Sequence, residues 1–341
     1  MKIATTFRRV TVDVDILALN AQIEKDSEFV RKVLKETSKV IVGQREMLEG
    51  VLSGLLTGGH ILLEGVPGLA KTLTISSMAQ AVGLNFQRIQ FTPDLMPSDL
   101  VGTMIYNQTT GEFAAKKGPL FTNIVLADEI NRAPAKVQSA LLEAMAEKQV
   151  TIGETTYKLD NPFLVLATQN PLEQDGTYPL PEAQMDRFMF KIEVGYPNRD
   201  EEKQILDSMS LSDVPQIEKV VTLEEILRAR SLVDKIHVNE KLKNYIVEIT
   251  MATRQPAEYG LGHLGSLIHL GGSPRATISM VKAAKAQAFM QSRGYVTADD
   301  VKSIAHKVLR HRLILTYEAE AEDVKSDALV NEILESIEVP S

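Results

Sequence analysis

The residues best suited to chemistry form a short run, Gly65-Val66-Pro67-Gly68-Leu69-Ala70-Lys71-Thr72, set between an apolar stretch and a helical pattern. Strand, glycine-rich turn and helix in that order suit a loop that wraps a phosphate, because backbone N–H groups and a helix N-terminus then face the anion. In such a loop Lys71 neutralises outer phosphate oxygens and the Thr72 hydroxyl ligates Mg2+. The strict pattern has glycine before the lysine. Ala70 occupies that place, which is tolerable if its φ stays below zero, while Gly65 and Gly68 serve the tight bends. A second group, Asp128-Glu129, closes the apolar run Asn123–Ala127. A buried strand ending in two carboxylates is costly unless they meet a cation. Asp128 is placed to hold Mg2+ through water, and Glu129 to polarise an attacking water. An acidic pair after an apolar run is common by itself; the loop upstream makes this one informative.

Three further residues have two readings each. Asn170 follows the run Phe163–Ala167, where an amide can orient water and touch a terminal phosphate, or simply begin the turn at Pro171. Arg187 is either the structural partner of Asp186 or a guanidinium presented to a neighbouring subunit's phosphate. Arg275 is the second residue of a helix begun by Ser273-Pro274, and serves as a lid arginine over the nucleotide or as a solvated surface residue. The glycine-rich stretch 259–272 just before it reads as a bendable entry, and its His263 and His269 as loop packing rather than metal ligands. No Asn-Lys-x-Asp base-reading motif is present, which favours ATP over GTP.

These residues need a frame. Apolar runs at His60–Leu63, Phe86–Phe91, Asn123–Ala127, Phe163–Ala167 and Phe188–Val194 are rich in β-branched or aromatic residues, with helical patterns between the first four. That alternation predicts βαβ units and a parallel sheet covered on both faces, with ligands at the carboxyl ends of its strands. After Pro197 the strand signal disappears, and amphipathic helices are expected over 200–210, 222–234, 239–253, 274–292 and 297–310. Thr297 to Asp300 resembles a capping box, and Gly294 is a suitable helix stop. Val10, Val12, Val14 and Ile16 alternate with polar residues, as in a strand needing a partner or as in a frayed terminus. The acidic tail from Glu318 reads as a final solvated helix.

The chain has 341 residues, 37 Lys plus Arg against 45 Asp plus Glu, and a net charge of −8. An acidic chain repels phosphate backbones on average, so nucleic acid is not the expected partner. Cysteine is absent, which excludes a disulfide scaffold, a thiolate metal site and a cysteine nucleophile. No apolar run is long enough to span a bilayer and no leader core is evident, so a cytoplasmic protein without a membrane span is expected.

The motifs together resemble the MoxR family of AAA+ ATPases, in the clade with an insert in helix 2. They are VGQREM (42–47), GVPGLAKT (65–72), FTPDLMPSDLVG (91–102), GPLFTNIVLADEINRAPAKVQSALLEAM (118–145), VLATQNPLEQDGTYPLPEAQMDRF (165–188) and SPRA (273–276). The resemblance implies an α/β P-loop core with a five-stranded parallel sheet in the order 5-1-4-3-2, followed by a small all-helical lid. The expected organisation is an ATPase domain over 26–200, a linker over 201–220 and a lid over 221–341, preceded by an N-terminal extension over 1–25 that is not part of the family core. Hairpins are expected at about 99–118 and at 149–160, where the residues alternate around Gly153-Glu154. By resemblance, Val42, Gly43 and Gln44 lie by the adenine, and Gly65, Val66, Pro67, Gly68, Leu69, Ala70, Lys71, Thr72 and Leu73 hold the nucleotide. Thr72 and Asp128 hold Mg2+, and Glu129 acts on water. Asn170 is sensor 1, Arg187 the arginine finger and Arg275 sensor 2. The implied function is that of an ATP-hydrolysing chaperone, a hexameric ring of identical subunits acting on protein clients beside a von Willebrand A domain partner. A nucleic-acid motor of the same clade is the alternative.

Overall fold

The computed structural model describes residues 17–109, 111–171, 176–209 and 215–340. The alternating arm of Val10, Val12, Val14 and Ile16 lies outside them. By contacts the chain divides into two units, one of Val33–Leu223 and one of Met1–Lys32 with Glu224–Ser341.

The first unit is built on a parallel sheet. Helix α1 (residues 17–26) and the first half of α2 (Glu28–Thr37) group with the other unit, and the first unit continues through α3 (Arg45–Thr57), β1 (Ile61–Glu64), α4 (Lys71–Ala81) and β2 (Phe86–Gln90). Next come α5 (Pro97–Val101), β3 (Gly102–Asn107), β4 (Glu112–Lys117), β5 (Ile124–Asp128) and α6 (Ala135–Glu147). The remainder is β6 (Gln149–Ile152), β7 (Thr155–Lys158), β8 (Leu164–Gln169), α7 (Glu182–Met185), β9 (Phe190–Glu193) and α8 (Arg199–Met209). The sheet order is β2-β5-β8-β1-β9, all parallel, which is the expected 5-1-4-3-2 when its five strands are numbered along the chain. Strands β5 and β8 are buried almost throughout because helices cover both faces. Edge strand β2 has polar residues on its open side. The expected hairpins are the antiparallel pairs β3–β4 and β6–β7. The stretch expected as a linker is ordered where it is described: 199–209 is α8, and Val220 donates its N–H to Ala81 O at 2.9 Å.

The second unit is mainly helical. It holds α9 (Leu223–Lys235), α10 (Glu240–Ala252), β10 (Ile268–Leu270), α11 (Pro274–Met290) and α12 (Ala298–Leu309). It ends with β11 (Ile314–Leu315), α13 (Tyr317–Ala321) and α14 (Ser326–Ser336). Side-chain caps start four of these helices: Asn239 takes Leu242 N–H, Ser273 takes Arg275 N–H, Thr316 takes Ala319 N–H, and Thr297 with Asp300 forms the expected box. Helix α11 stops at Met290, before Gly294, with Ser292 in the left-handed region at φ 60°. The lid also contains a short antiparallel pair, β10–β11, too brief to give a periodic signal. Leu329, Val330, Ile333 and Leu334 of α14 are buried, so the acidic tail is amphipathic and packed rather than solvated all round. Helix α1 and the start of α2 are part of this unit. Asn20 Oδ1 accepts Gly294 N–H at 2.6 Å, Ser27 meets Ser292 at 2.8 Å, and the Phe29 and Phe289 rings lie 6.2 Å apart.

Candidate active site

The glycine-rich loop leaves β1 and starts α4, so its backbone N–H groups sit at a helix N-terminus. Gly65 is required by close approach: a Cβ there would lie 2.5 Å from Val194 O at the end of β9. Ala70 does not keep φ below zero as expected; its φ is 53°, left-handed. It is the residue that caps α4, and its carbonyl takes both the Thr74 N–H (2.9 Å) and the Thr74 hydroxyl (3.0 Å). The left-handed turn costs about 1 kcal/mol for a residue with a Cβ, and such strain is typical where a backbone must present its N–H groups to an anion.

Lys71 turns back into the loop, donating to Gly65 O at 2.6 Å and Val66 O at 3.3 Å. Burial pushes its ammonium pKa down, and the nearby carboxylates of Asp128 and Glu129 oppose that shift. A partly desolvated cation in a loop of N–H donors is a site that gains from an incoming polyanion.

The carboxylates are held by four other side chains. Asp128 Oδ1 accepts the Thr168 hydroxyl at 2.6 Å, and Asp128 Oδ2 accepts Arg88 Nη2 at 2.6 Å and Nε at 3.0 Å. Thr168 Oγ1 in turn accepts the Glu129 N–H at 2.7 Å. Glu129 has a left-handed backbone, φ 57°, which turns the chain sharply off β5. Its Oε2 accepts Gln90 Nε2 at 2.7 Å and pairs with Arg132 Nε at 3.2 Å.

A cleft of about 410 Å3 at the carboxyl ends of the strands is lined by Gly65, the run Pro67–Leu73, Asp128, Glu129 and Asn170. Arg88, Thr168 and Gln169 line it too. Val66 is in the loop but not in the lining. Val42, Gly43 and Gln44 are not in the lining and lie at the exit of β9: Gln44 Nε2 reaches Gly195 O at 3.5 Å, and Gly43 abuts the Glu201 carboxylate. Arg187 is exposed and outside the cleft, donating from Nη1 to Leu142 O on α6 at 2.8 Å. Arg275 is exposed in the first turn of α11, in the other unit. His263 pairs with Glu332.

Sequence reasoning missed Arg88 and Gln90, and gave Thr168 no role. A signal existed: Arg88 and Gln90 stand two apart in FQRIQF, hence on one face of the strand. Nothing local, however, says that this face meets Asp128, which follows from the pairing of Gln90 with Asp128 across β2–β5. The donor set fits a polyphosphate, with an ammonium and loop N–H groups. The acceptors Thr72 and Asp128 are hard oxygens of the kind Mg2+ takes.

Comparison with known proteins gives the same picture. A family model described as ATPase family associated with various cellular activities (AAA) matches residues 60–190, and one described as AAA lid domain matches 265–333. Chaperone MoxR1 of Mycobacterium tuberculosis is 46% identical over 311 residues, covering 91% of this chain and 82% of that protein. Protein MoxR of Paracoccus denitrificans is 31% identical over 325 residues, covering 89% and 94%. A crystal structure from Cytophaga hutchinsonii superposes with a TM-score of 0.89 at 51% identity, over 96% of this chain and 98% of that one.

Proposed function

The chain belongs to the MoxR family of AAA+ ATPases, and from that premise we propose that it works as a ring of identical subunits that spends ATP to remodel or activate a partner protein. The observation that carries the reading is the meeting, in one cleft, of a phosphate loop with its lysine at the end of β1 and a carboxylate pair at the end of β5, with β8 between the two strands. Loop N–H groups and Lys71 bind the polyphosphate, and Val42, Gly43 and Gln44 border the base. Thr72 and Asp128 would hold Mg2+, which would supply charge neutralisation at the outer phosphates. Glu129 takes the proton of a water aligned by Asn170. Thr168 ties the Asp128 carboxylate to the Glu129 backbone, since one hydroxyl bridges the Asp128 side chain and the Glu129 N–H. Arg187, exposed and outside its own cleft, is presented to the neighbouring subunit's nucleotide, and Arg275 reads the nucleotide from the lid.

The partner is a protein bearing a von Willebrand A domain rather than nucleic acid. Lys117 of the β3–β4 hairpin is spent within the chain, its ammonium lying 4.7 Å from the Phe121 ring and 5.3 Å from that of Tyr157. A groove that tracks phosphates needs several free cations and binds with steep salt dependence. The test titrates a von Willebrand A protein, then single- and double-stranded DNA at low salt, while following ATPase rate and binding. Stimulation by the protein and none by DNA is expected. Micromolar DNA binding that weakens steeply with salt, with stimulation lost on changing Lys116 and Lys117 to Glu, would replace this reading with a nucleic-acid motor.

A further inference from the structure

Both oxygens of Asp128 are engaged by the chain itself, and the stronger engagement is ionic. Arg88 approaches Oδ2 through two nitrogens, at 2.6 and 3.0 Å, from the neighbouring edge strand. Its side chain is 49% exposed, whereas that of Asp128 is 14% exposed. A guanidinium so placed stands where a divalent cation would approach that carboxylate from solvent. The local charge balance is compatible with the same conclusion. Among the charged residues that line the cleft, Lys71 and Arg88 already balance Asp128 and Glu129, so no spare negative charge is left to draw in a bare cation.

We propose that Arg88 is a built-in counter-ion that closes the metal position at Asp128 to a bare divalent cation and yields it only when a polyphosphate enters, so that metal is admitted with nucleotide and not before it. The inference rests on the nucleotide reading of the cleft. A half-exposed ion pair is weakly held, because water competes for both partners. It can therefore give way to a ligand that brings several negative charges for the guanidinium. A free cation brings the wrong sign: it meets Arg88 at close range and is repelled. Gln90 links the two carboxylates, since its Oε1 accepts Arg88 Nη2 at 2.9 Å while its Nε2 holds Glu129. Departure of Arg88 from Asp128 thus also removes a constraint on Glu129.

The probe is Mn2+, read by electron paramagnetic resonance and calorimetry on the full chain without nucleotide. Wild type is expected to bind Mn2+ weakly. Arg88→Gln should bind it about tenfold or more tightly, and the gain should vanish in Arg88→Gln with Asp128→Asn. Arg88→Lys keeps the charge and should behave as wild type. Thermal unfolding of each variant guards against simple misfolding. If Arg88→Gln binds no tighter than wild type, or if the gain survives loss of the Asp128 charge, the counter-ion role is wrong. A separate arm adds ADP: wild type should then bind Mn2+, and Lys71→Ala should not. Failure there overturns the nucleotide reading itself, whatever Arg88 does.

Discussion

At the scale of single residues, Lys71 and Glu129 divide the work in a way that mutants can separate. Lys71 meets phosphate in the ground state; Glu129 acts on water in the transition state. Lys71→Ala should lose nucleotide binding. Glu129→Gln should keep affinity within a few fold and lose at least about 10²-fold in single-turnover hydrolysis. Turnover by Glu129→Gln within about threefold of wild type would remove Glu129 from that role. A different residue governs acid stability. His60 is fully buried at the start of β1, where Nε2–H donates to Met145 O at 3.2 Å and Nδ1 accepts Val165 N–H at 3.0 Å. Burial pushes its pKa from 6.5 down to about 4. Between those values the unfolded chain takes up a proton that the native chain refuses. Stability is therefore full above pH 6.5 and falls as pH drops through the window, by about 3 kcal/mol in all. Denaturant titrations at several pH values should show this slope, and His60→Gln should flatten it.

Among the elements, the β3–β4 hairpin is the most easily detached from the rest. Both strands are exposed along most of their length, and Tyr106 and Phe113 pair at 5.2 Å across them in solvent. A lone two-stranded ribbon is marginal in water, so its base matters. Gly102 sits at that base with φ 105°, and a Cβ there would lie 2.2 Å from Lys116 O. Gly102→Ala should loosen the ribbon by more than about 2 kcal/mol, through both clash and backbone strain. The readout is amide hydrogen exchange: fast exchange confined to 102–117, with nucleotide affinity unchanged. Loss of nucleotide binding in this variant would instead tie the ribbon to the integrity of the sheet. Edge strand β2 behaves differently. Its open face is polar because Arg88 and Gln90 reach the carboxylates of β5, so an edge position has become part of the site.

For the whole molecule the decisive question is whether Arg187 acts on a neighbour. Within its own chain it rests on Leu142 O and does not reach the cleft. A mixture of Lys71→Ala and Arg187→Ala subunits, each inactive alone, should regain part of the ATPase activity. Some mixed interfaces would pair an intact loop with an intact finger, and a finger contributes about 10³–10⁵ in rate. Absence of recovery, under conditions where labelled subunits exchange, would confine Arg187 to a role within its own subunit.

What the chain alone determined about this protein is whatever depends on neighbours in sequence. The phosphate loop, the Asp128-Glu129 pair, the alternation around Gly153 and the caps at Ser273 and Thr297 are contiguous, and their chemistry is legible because local spacing sets local geometry. Sheet order followed only through the family resemblance, since periodicity marks strands without saying which ones pair. Tertiary structure decided the rest. Arg88 joins Asp128 across forty positions of sequence, and Ser27 joins Ser292 across 265, through register and packing that no local pattern encodes. The left-handed turn at Ala70 was likewise invisible: residue type sets a preference for φ, and here the demand to direct the loop's N–H groups toward one anion site overrides it.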